Sequence, residues 1–83
     1  AMGQAASRGR EWAARGDFSR AVAEYERAIA TAREQDAAQS EALYLRELGA
    51  TLLSQAKTEP DQRHATLERA AATLQRALTG LDA

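Results

Sequence analysis

Apolar residues recur along this chain at intervals of three and four, the spacing that gathers side chains on one face of a helix. The clearest stripe consists of Phe18, Val22, Tyr25, Ile29 and Ala32. Strong helix formers dominate the composition, and proline occurs once, at position 60. The pattern therefore predicts an all-α fold.

Residues that interrupt this pattern divide the chain into four helices. Gly16 can end the first helix in the left-handed conformation, and Asp17 can cap the second. A weaker break follows, after which Ser40 is expected to cap the third helix. The predicted helices cover residues 4–15, 18–35 and 41–57, and the fourth ends near residue 79.

The start of the fourth helix carries its own signal. Thr58 and Asp61 resemble a capping box, Pro60 is tolerated in the first turn, and Gly80 is expected to end the helix. The apolar faces expected for the third and fourth helices consist of Leu45, Leu48, Leu52 and Ala56 and of Leu67, Ala71, Leu74 and Leu78, respectively.

Short connections make consecutive helices antiparallel, so the helices pair as two hairpins. The first hairpin is expected to span residues 4–36 and the second residues 40–80, together forming one domain. Residues 1–3 place an alanine before the methionine and resemble the remnant of a removed affinity tag. The chain is therefore expected to be part of a larger protein.

The first helices of the two hairpins repeat one another. Gly9 and Trp12 recur 40 positions later as Gly49 and Leu52. A small residue followed by a large apolar one thus marks the same place in each hairpin.

The second helices repeat one another as well, but at a different spacing. Residues 21–29 recur 49 positions later as residues 70–78, with alanines at matching places. This alignment leaves nine extra residues around the second turn, whereas one that matches residues 26–28 to residues 68–70 leaves two. The first alignment matches more core positions and is preferred.

The first hairpin resembles a tetratricopeptide repeat, in which small residues let two helices approach and aromatic residues fill the space between them. Leu48 and Gly49 open the second copy as the family's Leu-Gly pair does, and the long period resembles repeats of bacterial regulatory and signalling proteins. The resemblance implies helix hairpins stacked as a short α-solenoid. The matching residues are Gly9, Trp12, Gly16, Asp17, Phe18, Ala21, Tyr25, Ala28 and Ile29.

The chain also departs from the family pattern. Ala5 and Arg8 stand where a large apolar pair is usual, and neither copy has the closing proline. The second turn lacks the Gly-Asp pair. The first copy is therefore the better match, and the second is divergent.

In the family, the first helix of each repeat lines a groove that holds a protein or peptide. The resemblance implies a non-catalytic adaptor in which Arg10 and Arg46 could meet a carboxylate of the ligand. Leu43 and Ala50 could instead pack on helices 1 and 2. The candidate groove residues are Ser7, Arg10, Ala14, Leu43, Arg46, Glu47, Ala50 and Leu53.

One familiar kind of groove is disfavoured. Repeats that clamp the acidic tail of heat-shock chaperones use Asn and Lys on their groove helices. This chain has no Asn, and its single Lys, Lys57, lies near a turn.

An alternative function is structural. The leucines of helix 4 recur with heptad-like spacing, which favours a homo-oligomer through helix 4 or stacking on further repeats of a multidomain regulator. These leucines are Leu67, Leu74, Leu78 and Leu81.

Composition excludes several other classes of function. Eleven basic residues against twelve acidic ones, with a net charge of −1, disfavour a nucleic-acid module, which normally carries a basic excess. No apolar run approaches membrane-spanning length, and the chain has no cysteine for a disulfide or a thiolate metal site. The expectation is a cytoplasmic protein, and the Arg and Ala bias favours a bacterial source.

Catalytic chemistry is not expected. The one histidine, His64, has only Asp61 and Glu68 nearby and is interpreted as a surface residue. No phosphate loop, catalytic triad or H-E-x-x-H spacing is present, so no enzyme activity, metal or cofactor is predicted. Trp12, Phe18 and Tyr25 are interpreted as core, while Tyr44 either packs on helix 2 or is partly exposed.

Overall fold

The computed structural model describes residues 2–82, with side chains placed from residue 3 to residue 79. Within this range the chain forms helices and no strand, so the predicted all-α fold with four helices is confirmed. None of these helices is both long and apolar enough to cross a bilayer. The elements are α1 (Met2–Ala14), α2 (Phe18–Glu34), α3 (Ala38–Thr58), a 3₁₀ turn (Pro60–Gln62) and α4 (Arg63–Asp82).

The α1–α2 turn has the predicted geometry. Gly16 has a φ of +82°, and the N–H of Asp17 donates to the Trp12 carbonyl over 2.9 Å, as in a Schellman motif. The Asp17 carboxylate then accepts the N–H of Arg20 over 3.2 Å. The predicted cap of α2 by Asp17 is therefore confirmed.

The α2–α3 turn uses the same motif without a glycine. Asp36 takes the left-handed conformation with a φ of +54°, and the N–H of Ala37 donates to the Ala32 carbonyl over 2.8 Å. Because this turn is so tight, α3 already begins at Ala38. The predicted cap by Ser40 is wrong, since Ser40 lies inside the helix.

The α3–α4 turn also differs from the prediction. Thr58 ends α3, and its hydroxyl donates to the Gln55 carbonyl over 3.1 Å instead of capping the next helix. The predicted capping box of Thr58 and Asp61 is therefore wrong. Pro60 instead opens the 3₁₀ turn, where its missing N–H costs no hydrogen bond.

All four helices contribute to the core, and most of its residues lie on α2 and α3. Leu52 is 1% exposed and is the largest side chain of residues 3–79 that is buried so completely. Tyr44 is buried as well, which decides between the two alternatives left open for it. The core residues are Ala6, Ala21, Val22, Tyr25, Ala28, Ile29, Ala32, Tyr44, Leu45, Leu48, Leu52, Ala70 and Ala77.

Helix α4 does not bury the face that its leucines predict. Leu67 is 41% exposed and Leu78 is 64% exposed, so the expected stripe is largely at the surface. Smaller residues allow α4 to approach α3 closely and take the core positions instead. The helix also continues through Gly80 to Asp82, so the predicted end at Gly80 is wrong. The buried positions of α4 are Thr66, Ala70, Thr73 and Ala77.

Two glycines occupy matching places in the two hairpins. A Cβ atom at Gly9 would lie 3.0 Å from the ring of Tyr25, and one at Gly49 would lie 2.5 Å from Cγ of Leu74. Each glycine therefore lets the second helix of its own hairpin approach. Because Leu74 is 49 positions after Tyr25, these contacts favour the alignment with the longer second turn.

The extra residues of the second hairpin lengthen its helices. α3 continues about one turn beyond the position that matches the end of α1, and α4 begins about one turn before the position that matches the start of α2. The second hairpin is thus a longer version of the first.

Candidate functional site

A cleft of about 420 Å³ lies between α1, α2 and α3. It contains three of the groove residues predicted from the sequence, namely Arg10, Glu47 and Ala50. Its lining residues are Arg10, Ala13, Phe18, Tyr25, Glu47, Ala50, Thr51 and Ser54.

An ion pair closes one side of this cleft. Nη2 and Nε of Arg10 donate to Oε1 of Glu47 over 2.7 Å and 3.2 Å, respectively, and so link α1 to α3. The hydrogen bond to Glu47 is the main cause that raises the pKa of Arg10. Two of the three guanidinium nitrogens of Arg10 are therefore engaged within the chain, which leaves fewer donors for a ligand's carboxylate.

Tyr25 contributes its ring to the same cleft. Burial raises the pKa of the Tyr25 hydroxyl above its ordinary value, and the negative charge of Glu47 raises it further. A hydrogen bond with Thr51 and the positive charge of Arg10 act in the opposite direction but are smaller. The phenol is thus held in its neutral form.

This shift predicts a loss of stability in alkali. The folded chain holds the Tyr25 proton more tightly than the unfolded chain does, so this proton contributes to the free energy of unfolding. The contribution is complete below about pH 10 and is lost as pH rises through the pKa of Tyr25 in the folded chain. Urea unfolding of the wild type is expected to show this fall above about pH 10, and Tyr25→Phe is expected to reduce it. An equally steep fall in Tyr25→Phe would contradict the assignment to Tyr25.

The predicted stripe on α3 is exposed. Leu43 and Leu53 are 39% and 38% exposed, and Arg46 and Ala50 between them are also at the surface. Arg46 makes no ion pair or hydrogen bond with the described part of the chain. Leu43 and Ala50 thus lie outside the buried face of α3, although Ala50 also lines the cleft beside α1 and α2.

The predicted residues of α1 form the other margin of this surface. Ser7 and Ala14 are exposed and lie one turn before and one turn after Arg10. The structure thus links α1 to α3 through Arg10 and Glu47. Ser7 and Ala14 do not line the cleft itself.

A second cleft, of about 340 Å³, lies between α2 and α4 and was not predicted. Ile29 and Leu48 lie at its base. Arg69 bonds to Glu26 across it, and Arg33 at its edge bonds to Glu41 over 2.6 Å. The only signal in the sequence is the set of arginines on one side of α2 and α4, which resembles an ordinary charged surface.

The residues considered for metal binding or acid–base chemistry do not form a site. His64 has a side chain that is 92% exposed and lies 3.0 Å from Glu68, as expected for a surface residue. Within residues 2–82, no three His, Cys, Asp or Glu side chains are grouped so that they could hold a metal ion.

The aromatic residues pack in the interior instead of forming a stacking surface. Tyr25 and Tyr44 are buried, and Phe18 is half-buried. Trp12 is half-buried beside the core, with the guanidinium groups of Arg20 and Arg15 at 4.7 and 5.4 Å from its ring centre. Trp12 therefore also anchors the α1–α2 turn.

Comparison with known proteins adds no assignment. No family model, no curated protein and no solved structure matches the chain.

Proposed function

We propose that this chain is a non-catalytic module that binds a protein or peptide along α3. We further propose that its hairpins stack as a short solenoid of the tetratricopeptide type within a larger protein. The resemblance between residues 9 and 29 and that family supports this, and so do the matching contacts of Gly9 and Gly49.

The observation that carries the proposal is the exposed face of α3. Leu43, Ala50 and Leu53 share this face with Arg46, and none of the helices in residues 2–82 covers it. Both apolar and charged side chains are therefore available to a ligand. The two leucines can make apolar contacts, and the guanidinium of Arg46 can bind a carboxylate.

The spacing on α3 defines the ligand. Leu43 and Leu53 are ten residues apart, which is about 15 Å along a helix. An extended peptide covers this length in about five residues. The expected ligand therefore has two apolar side chains four or five positions apart, with an acidic residue close to the one that contacts Leu43.

Selection from a displayed library of random peptides tests this proposal. The selected peptides are expected to carry the apolar and acidic pattern described above, and their dissociation constants are expected to rise about tenfold in Leu43→Asp and in Arg46→Glu. Leu78→Asp is the matched control, because it places the same charge on a more exposed leucine of α4.

Two outcomes would contradict binding along α3. One is a selected set with no acidic or apolar pattern. The other is a set whose dissociation constants are unchanged in Leu43→Asp and Arg46→Glu while both variants keep the wild-type circular dichroism spectrum.

A second candidate function is structural association through α4. Leu67 and Leu78 are the observation that favours it, since both are more than 40% exposed on one side of the helix. Either a helix of a partner or a second copy of the chain would cover these leucines.

A further inference from the structure

Helix α4 repeats the apolar side that α2 turns towards the core. On α2 this side includes Tyr25, which is 3% exposed, and Ile29, which is 5% exposed. The contacts of Gly9 and Gly49 relate α2 to α4 by 49 positions. By this relation Phe18, Val22, Tyr25, Ile29 and Ala32 correspond to Leu67, Ala71, Leu74, Leu78 and Leu81.

The counterpart on α4 lacks a cover. Leu78 corresponds to the buried Ile29 but is 64% exposed, and Leu67, which corresponds to the half-buried Phe18, is 41% exposed. Leucines at this spacing are the residues that a neighbouring helix would bury. The chain thus covers this surface on its first hairpin and leaves it open on its second.

The adjoining edge of α3 is basic. Arg46, Leu53 and Lys57 follow one another at intervals of seven and four, so they lie along one side of the helix. Within the described residues neither cation makes an ion pair. We call these three residues, together with Leu67, Ala71, Leu74 and Leu78, the outer face; it contains no carboxylate.

We propose that the outer face binds an amphipathic helix of another protein, with an apolar stripe like that of α3 and acidic residues on its flank. This inference deepens the second candidate function by naming the occupant. The way α3 covers α2 supplies the pattern, namely large apolar residues such as the buried Tyr44 and Leu48, the second of which lies beside Ile29 of α2. The unpaired Arg46 and Lys57 account for the acidic flank.

A second copy of the chain fits the outer face less well. The residues of α1 that correspond to the core residues Tyr44 and Leu48 of α3 are Gln4 and Arg8, so stacking α1 on the outer face would place polar groups on leucines. A symmetric contact would place the outer face against a copy of itself, and its cations would gain no carboxylate.

A synthetic helix tests the proposal. The probe is a peptide with the sequence of α3, residues 38–58, in which Ser54 is replaced by Glu. Glu47 and the glutamate introduced by Ser54→Glu then lie on the flank that faces α1 in the native chain, and this flank would face Arg46 and Lys57 of the outer face. Titrated into the ¹⁵N-labelled full chain, it is expected to shift amide signals along α4 from Leu67 to Leu78. Leu78→Asp is expected to raise its dissociation constant about tenfold, whereas Leu43→Asp should leave it unchanged.

Several results would overturn this inference. One is no saturable shift at about 1 mM peptide, a concentration that reveals even weak complexes. Another is a set of shifts confined to α2, which would mean that the peptide replaces α3. A third is a doubled mass by light scattering that Leu78→Asp abolishes, since a second copy would then be the occupant. Because Leu43→Asp tests the groove on α3 separately, failure here leaves the proposed peptide binding intact.

Discussion

Replacing Leu52 by Ala is expected to lower the free energy of unfolding by about 2–5 kcal/mol. Leu52 of α3 is 1% exposed within the core, so its loss leaves a cavity that the surrounding helices fill only in part. Domains are stable by only about 0.05–0.15 kcal/mol per residue, which makes this a large share of the total. In thermal unfolding, each lost kcal/mol lowers the midpoint by about 4–8 °C for a domain of this size.

Leu43→Ala is the matched control for this measurement. It makes the same substitution in the same helix, but Leu43 is 39% exposed. A surface change of this kind is expected to alter the stability by about 0.5 kcal/mol or less. If Leu43→Ala were as destabilising as Leu52→Ala, the burial pattern of α3 would be wrong.

Replacing Gly49 by Val is expected to cost about 1–3 kcal/mol through overpacking. The first added carbon alone would lie 2.5 Å from Cγ and 2.6 Å from Cδ2 of Leu74, closer than carbon atoms pack. Val and Gly differ by only a few tenths of a kcal/mol in helix propensity, so the change reports mainly on contact between α3 and α4. Chemical denaturation of the purified variant measures the loss.

Removing the opposing side chain is expected to rescue this variant. In a double-mutant cycle, Gly49→Val with Leu74→Ala should be more stable than the sum of the single losses predicts, because the new side chain then has space. Gly3→Val is the control, since a Cβ at Gly3 has no neighbour within 4 Å. Additive losses for Gly49 and Leu74 would contradict the close approach of the two helices.

The first hairpin could be predicted from the sequence because its signals are local. A left-handed glycine, a capping aspartate and an aromatic residue follow one another as Gly16, Asp17 and Phe18, and the structure uses the first two as expected. The apolar stripe of α2 is also its buried side. Here local preference and tertiary packing agree.

The α4 packing could not be predicted in the same way. Hydrophobic periodicity predicts that the leucines of α4 are buried. Close contact with α3 instead buries Ala70 and Ala77, which are 0% and 2% exposed. Periodicity measures which face of a helix is apolar and not which neighbour is present to cover it. The left-handed Asp36 was missed for a related reason, because aspartate has this conformation much less often than glycine.

The candidate site was predicted in part. The stripe of Leu43, Arg46, Ala50 and Leu53 is exposed along one side of α3, in agreement with its spacing. The pairing of Arg10 with Glu47 could not be foreseen, because these residues are 37 positions apart and meet only after the hairpins pack. That pair leaves Arg46 as the better candidate for a ligand's carboxylate.

Binding along α3 is tested most directly by mapping a selected peptide on the ¹⁵N-labelled chain. The largest amide shifts are expected along α3 from Leu43 to Leu53 and beside Arg10 on α1. Signals of α4 from Leu67 to Leu78 should move much less. Saturable shifts confined to α4, or shifts along α3 that persist at full size in Leu43→Asp, would contradict binding at this surface.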